Sequence, residues 1–508
     1  MGSPTGGSIS DSMQQERAQG EGTLSRGSVR AAEAALEVAR EAQAQWAERT
    51  LEQRCAILLA CRDALMDQVE AVVEAVVAGT GKPRFEALLH EVLILADTVG
   101  YYAKTAPRIL APEVIEMHLL RYRRSYLHYS PRGVVAVITP WNLPLIGPYG
   151  VAVPALLAGN AVVLKPSEFT SEIVEHVRAI FIQAGLPAEV LQIVRGGPEQ
   201  GRALIESRPD FVSFTGTTRS GREVAVACGS RLLPHSLHLS GNGAAIVMRD
   251  ADIDRTVNAI TFGAFAHSGQ LCMRVQRVYV VDEIRDEFVQ KLVDNIKALR
   301  AGDAEAHDTD LGRLTRLEDL LPLAGIVEDA VDHGATLVLG GSAREEGEPG
   351  FAPTLLTGCT GAMKIVREEV LGPILGIQSI SSAEDALQQI NDSEAGLIGY
   401  VFTKDRLAGR RLAERMRCGT VMVNDVLSAF ATPEVPFGGL RASGMGHRHG
   451  DLGLRAMCEL RHVSYDRVAM TRDVIWFPYT KRGYEAVSKA ARILFRSGSP
   501  MKKLLDLF

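Results

Sequence analysis

Two features predict an α/β fold with doubly wound parallel sheets. The first is a series of short, almost wholly apolar runs at 133–138, 161–164, 190–194 and 211–214. Runs of this kind suit strands covered on both faces. The second is the helical stretches that separate them, at 146–157, 171–184 and 199–207. Strand and helix in alternation argue for a parallel sheet, and such sheets bind ligands at the carboxyl ends of their strands. A second α/β set begins near Asn242, with strands at 278–281, 336–339 and 419–423 and a helix at 285–299. The domain change is placed near residue 242, and the return to the first domain near 430.

The flanking segments read differently. Residues 1–26 are rich in Gly, Ser and Gln and lack the apolar core of a secretory signal, so they are expected to be a disordered arm. Residues 29–80 read as helices stopped by Gly79-Thr80-Gly81-Lys82-Pro83. Residues 471–508 form a basic amphipathic tail. Tyr484, Val487, Ala491, Leu494 and Phe495 lie near one side of its helix, and Lys489, Arg492, Arg496, Lys502 and Lys503 supply charge. Such a helix can lie on an anionic membrane surface; the alternative is packing on a neighbouring subunit.

The 508 residues are enough for two or more domains with sizeable cores. A net charge of −6 gives no case for nucleic acid as a partner. No apolar run has the length to cross a bilayer. The seven cysteines are scattered without a CxxC pair or a Cys/His cluster, so no metal is expected, and reduced thiols in a cytoplasm fit best.

Five motifs stand out: Thr139-Pro140-Trp141-Asn142, Leu239-Ser240-Gly241-Asn242-Gly243, Gly269-Gln270-Leu271-Cys272, Glu368-Glu369-Val370-Leu371-Gly372-Pro373 and Pro436-Phe437-Gly438-Gly439. Together they resemble the NAD(P)-dependent aldehyde dehydrogenase superfamily, from about residue 30 to about residue 465. The resemblance implies an NAD-binding domain (27–115 and 133–241), a catalytic domain (242–430) and a small β oligomerisation flap (116–132 and 455–470). A homodimer or homotetramer follows from the flap.

The implied reaction is oxidation of a small-molecule aldehyde to a carboxylic acid, with NAD as hydride acceptor. A thiolate attacks the carbonyl carbon, and the tetrahedral adduct loses hydride to leave a thioester. By resemblance Cys272 is the nucleophile. Asn142 and the backbone N–H of Cys272 would donate to the developing oxyanion. The resemblance assigns the dinucleotide to Ile138, Thr139, Pro140, Trp141, Lys165, Ser167, Glu168, Phe214, Gly216, Thr217, Leu239, Glu369 and Leu371. Lys165 and Glu168 suit an adenosine ribose. A carboxylate at 168 disfavours a 2′-phosphate, so NAD is expected ahead of NADP, although Lys165 could face a phosphate. Phe214-Thr215-Gly216-Thr217 matches the family's loop at a helix N-terminus near the pyrophosphate. Glu369 matches the carboxylate that holds the nicotinamide ribose. Leu371 stands where the family has an aromatic residue, and Phe437 reads either as a wall of the substrate tunnel or as core.

One position departs from the pattern. Where the family has Glu-Leu-Gly-Gly-Lys, this chain has His238-Leu239-Ser240-Gly241-Asn242. The missing Glu is the general base for thioester hydrolysis. An imidazole of ordinary pKa, about 6.5, accepts a proton at neutral pH and is half protonated in mild acid, so a base at His238 predicts activity that falls in acid. The alternatives are transfer of the acyl group to coenzyme A, slow hydrolysis, or an inactive scaffold. Ser443-Gly444-Met445-Gly446-His447-Arg448-His449-Gly450 resembles a bacterial branch containing some succinate-semialdehyde dehydrogenases, but no Arg pair for a distal carboxylate can be placed.

Overall fold

The computed structural model describes residues 24–344, 349–468, 470–473 and 475–495. Most of the predicted N-terminal arm and the end of the tail, with Arg496, Lys502 and Lys503, lie outside the described residues. By contact the described residues form two compact units, one within Met1–Ala111 and Tyr129–Leu460, the other within Pro112–His128 and Arg461–Phe508.

In the first unit, the described residues form two large sheets and a two-stranded one of Ala395–Gly396 and Leu440–Arg441. A six-stranded sheet runs in the spatial order Gly444–Met445, His235–His238, Phe211–Thr215, Val134–Ile138, Ala161–Lys165, Leu191–Ile193. All its pairings are parallel except that of Gly444–Met445. Val134–Ile138 and Ala161–Lys165 are buried at every position, which explains their lack of apolar–polar alternation. The helix Ile146–Leu157 is also buried throughout. It is apolar on all sides because it has no solvent face to clothe. Ahead of these strands, helices Arg26–Glu48, Leu51–Asp67 and Val69–Thr80 fill the region read as helical. Thr50 and Gln53 close a reciprocal capping box at the second, and Gly81, at φ 69°, ends the third.

A seven-stranded sheet has the order Thr336–Leu339, Thr354–Thr357, Ile374–Ile380, Arg277–Val281, Ala244–Val247, Ile398–Phe402, Thr420–Val423. The chain passes between sheets from His238 to Ala244 and comes back with Gly444–Met445. Thr336–Leu339 is an exposed edge strand, antiparallel to its neighbour. The second unit carries most of a three-stranded sheet, Glu113–Ile115, Arg123–Pro131 and Cys458–Asp466. Its Val114, Leu119 and Tyr465 are exposed. It also carries the helix Lys481–Phe495, which has no buried residue.

Candidate active site

Four parallel strands end side by side. Register pairs Ile138 with Lys165 and Phe214, and Thr215 with His238. Above these carboxyl ends lies a cavity of about 390 Å³ lined by Pro140, Trp141, Asn142, Thr215, Gly216, Thr217, His238, Leu239, Cys272, Arg316, Glu368, Glu369 and Leu371, among others. Most sequence-predicted site residues meet here. Ile138 and Phe214 lie at the strand ends beneath it. Lys165, Ser167 and Glu168 are set aside from it, the first at the end of the neighbouring strand and the other two on the turn that follows.

Cys272 is presented by strained backbone. His267, Ser268 and Gly269 have φ of 51°, 51° and 72°, the left-handed region that non-glycine residues avoid. A side chain on Gly269 would meet the Gly372 carbonyl at 2.2 Å. Buried ties hold the turn: Glu86 accepts from the His267 N–H at 2.7 Å, and Ser268 Oγ donates to the Gly312 carbonyl at 2.9 Å. Gln270 donates to the His267 carbonyl at 3.0 Å and accepts from the Thr315 N–H at 3.0 Å. Gly241 packs so closely that a Cβ there would lie 2.1 Å from the Cys272 carbonyl oxygen. The Gly-Gln-x-Cys pattern thus supplies one residue for backbone freedom and one for anchorage.

Burial pushes the Cys272 thiol up to about 12, and the Glu369 carboxylate adds to the shift; Arg448 and the N–H groups of Cys272 and Met273 oppose it. The sulfur is therefore a thiol at rest and needs a base to become a nucleophile. Glu369 is turned inward. Its Oε1 accepts from the Gly241 N–H at 2.9 Å, it bonds the Ser240 hydroxyl, and burial raises its pKa.

Asn142 is buried and donates from Nδ2 to the Gln270 carbonyl at 2.8 Å. One amide hydrogen is thereby used to aim the group, and the other is left for a ligand. The loop carrying it rests on an ion pair that sequence reasoning missed. Lys82 and Glu91 are both fully buried and bonded to each other. Lys82 also donates to the Asn142 carbonyl at 3.3 Å, while Glu91 Oε2 accepts from the N–H groups of Leu145 and Ile146 at 3.0 Å. In the sequence Lys82 shows only as part of a helix stop. An ion pair between residues on different elements leaves no signature in local spacing.

His238 is buried, and neither ring nitrogen has a hydrogen-bond partner among the described residues. Burial, then Arg448, His449 and His447, hold its pKa well below 6.5. The sequence expectation takes an imidazole of ordinary pKa; in the fold, burial and the neighbouring Arg448 disfavour the protonated ring. Arg448 is a second residue missed in sequence. It is buried and donates to the Thr215 hydroxyl. Phe437 is core, edge-on to Phe430 at 5.4 Å.

The residues fit a dinucleotide. Thr217 caps the helix Thr218–Gly229, accepting from the Ser220 N–H at 3.2 Å, so a helix N-terminus opens beside the cavity. Thr139 Oγ1 is buried without a partner among the described residues. Lys165 is buried, with Nζ 3.9 Å from the half-exposed Glu168. The Arg316 guanidinium lies 5.5 Å from the Trp141 ring and 5.8 Å from that of Phe169. Among the described residues no group of His, Cys, Asp or Glu could hold a metal ion, and the cysteines are all free.

Comparison with known proteins agrees with this geometry. Residues 11–463 match the model of the aldehyde dehydrogenase family. A protein of Mycobacterium ulcerans, provisionally named succinate-semialdehyde dehydrogenase [NADP(+)] 2, is 35% identical over 448 residues, covering 88% of this chain and 86% of the relative. The 4,4'-diapolycopene aldehyde oxidase of a Methylomonas species is 34% identical, covering 89% and 84%. The solved structure of Staphylococcus aureus betaine aldehyde dehydrogenase in complex with NAD+ superposes with a TM-score of 0.83 at 30% identity, covering 88% of this chain and 89% of that one. The chain belongs to the aldehyde dehydrogenase family.

Proposed function

We propose that the protein oxidises an aldehyde to a carboxylic acid with NAD(P)+ through a thioester on Cys272. The observation that carries this reading is the meeting of Cys272, Asn142, Glu369 and the helix N-terminus at Thr217 around one cavity. The thiol passes its proton to the neutral His238 ring, which releases it to solvent, and the thiolate forms a C–S bond with the carbonyl carbon while the carbonyl π pair moves to oxygen. Asn142 Nδ2 and the Cys272 N–H donate to that oxyanion. The nicotinamide supplies the hydride acceptor. As the C=O bond re-forms, the carbon loses hydride and becomes a thioester. Water then adds, the C–S bond breaks, and the thiolate leaves with its electron pair. His238, neutral and with neither ring nitrogen partnered among the described residues, is the acceptor for the proton of that water.

Its depressed basicity favours a second reading, in which the thiol of coenzyme A takes the acyl group and no water is activated. Glu168 at the ribose end supports NAD, while Lys165 and Arg316 supply the positive charge that NADP would need. The named substrates of the relatives range from a charged semialdehyde to a long apolar aldehyde. The exposed apolar side chains of the three-stranded sheet suit pairing with a second copy. No helix of the described residues is long and apolar enough to cross a membrane. The helix Lys481–Phe495 is a candidate for an anionic membrane surface or a neighbouring subunit.

Incubation with an aldehyde panel and NAD+ or NADP+, with and without coenzyme A, should raise the absorbance of reduced nicotinamide, and Cys272→Ala should abolish the rise. No reduction of either dinucleotide under any of these conditions would refute the enzymatic reading.

A further inference from the structure

We propose that the substrate is an aldehyde with an extended apolar chain and no distal charge; this rests on the enzymatic reading above. A second cavity, of about 360 Å³, reaches the residues on either side of Cys272 and the one that follows Asn142. Its inner end is made by Leu143, Leu271, Met273 and Phe430, all buried. Its open end is made by Leu89, Leu93 and Phe262, each about four-tenths exposed. The volume lies within the range of small-ligand sites. The nucleotide cavity approaches Cys272 from the side of His238 and Glu369, so the apolar one is left for the rest of the aldehyde.

The charge in this cavity discriminates between aldehydes. No Lys or Arg is among the described residues lining it. Its one histidine, His90, is pushed down to about 4 by burial and by Lys82, so it is uncharged at neutral pH. Its one carboxyl, Asp97, is raised by burial and by the nearby Glu434. A distal carboxylate would lose its hydration, find no cation, and face Asp97. A methylene chain would lose only unfavourable contact with water.

The experiment measures kcat/KM for straight-chain alkanals and for succinate semialdehyde with the full chain and the dinucleotide it reduces. From butanal to octanal the value should rise about fourfold per methylene, equivalent to about 0.8 kcal/mol. Succinate semialdehyde should lie at least about a hundredfold below butanal, which has the same number of carbons. Phe262→Arg should narrow that gap from both sides. Independently of turnover, decanamide should slow alkylation of Cys272 by iodoacetamide, and succinamate should not. A flat or falling chain-length series, succinate semialdehyde matching butanal, or protection by succinamate alone would overturn the proposal. Protection by decanamide without reduction of either dinucleotide would retain the apolar site and refute the catalytic reading instead.

Discussion

Cys272 should be a slow nucleophile in the protein alone, and slow for reasons of ionisation rather than access. Its thiol is raised from an ordinary 9.0 to about 12. Three pKa units correspond to a thiolate population at pH 8 about a thousandfold below that of an ordinary thiol, and alkylation follows the thiolate. The assay is iodoacetamide labelling, read by mass on the Cys272 peptide between pH 7 and pH 10.5. The rate constant should climb about tenfold per pH unit across the whole range, where an ordinary thiol bends over near pH 9. An access barrier would lower the rate without moving the bend, so the shape of the profile separates the two causes. Glu369→Gln removes the second cause of the shift and should raise the rate at pH 8. Unfolding in urea should bring all the cysteines to a common rate. A native profile that bends near pH 9, or a Glu369→Gln rate equal to that of wild type, would refute the reasoning.

Asn142→Ala should lower kcat about 10²–10³-fold with little change in the alkylation rate of Cys272, because it removes an oxyanion donor and leaves the thiol's surroundings. Lys82→Met strips the buried Glu91 of its cation and should cost about 3–5 kcal/mol in urea unfolding. Lys82→Met with Glu91→Gln should recover part of that loss, and a single variant of unchanged stability would deny the pair its structural role. Acid should destabilise the fold between pH 6.5 and about 4. His90, His238, His267 and His449 are all held below their ordinary pKa by burial, to about 4 for His90 and His449. The unfolded chain takes up protons that the folded one refuses, at up to about 1.4 kcal/mol per pH unit for each histidine. Glu86, raised to about 7, and Glu369, also raised, work in the opposite direction, so the net slope should be that of fewer than four protons. Urea midpoints at pH 7.5, 6 and 5 measure it, and a flat series would contradict the assignment.

Much was legible in the chain because the signals are local. The buried strands at 134–138 and 161–165 show themselves as unbroken apolar runs, since a strand covered on both faces has no reason to alternate. The strands His235–His238 and Ala244–Val247 were not assigned. The first carries two histidines and the second begins with two alanines, and only their neighbours in the sheets make them strands. The motifs around Cys272, Asn142 and Glu369 could be matched because each is a short segment whose glycines and amides answer a local need. The residues that hold and tune them could not. Lys82 lies far along the chain from Asn142, and Arg448 from Thr215. The shift at His238 is not legible in sequence for the same reason, because a pKa is set by burial and by charges brought from elsewhere in the chain. The apolar second cavity likewise draws its walls from helix, loop and turn segments that share no motif. Residue pattern therefore determined the fold class and the reacting atoms, while tertiary packing alone decided their ionisation, their support and the space left beside them.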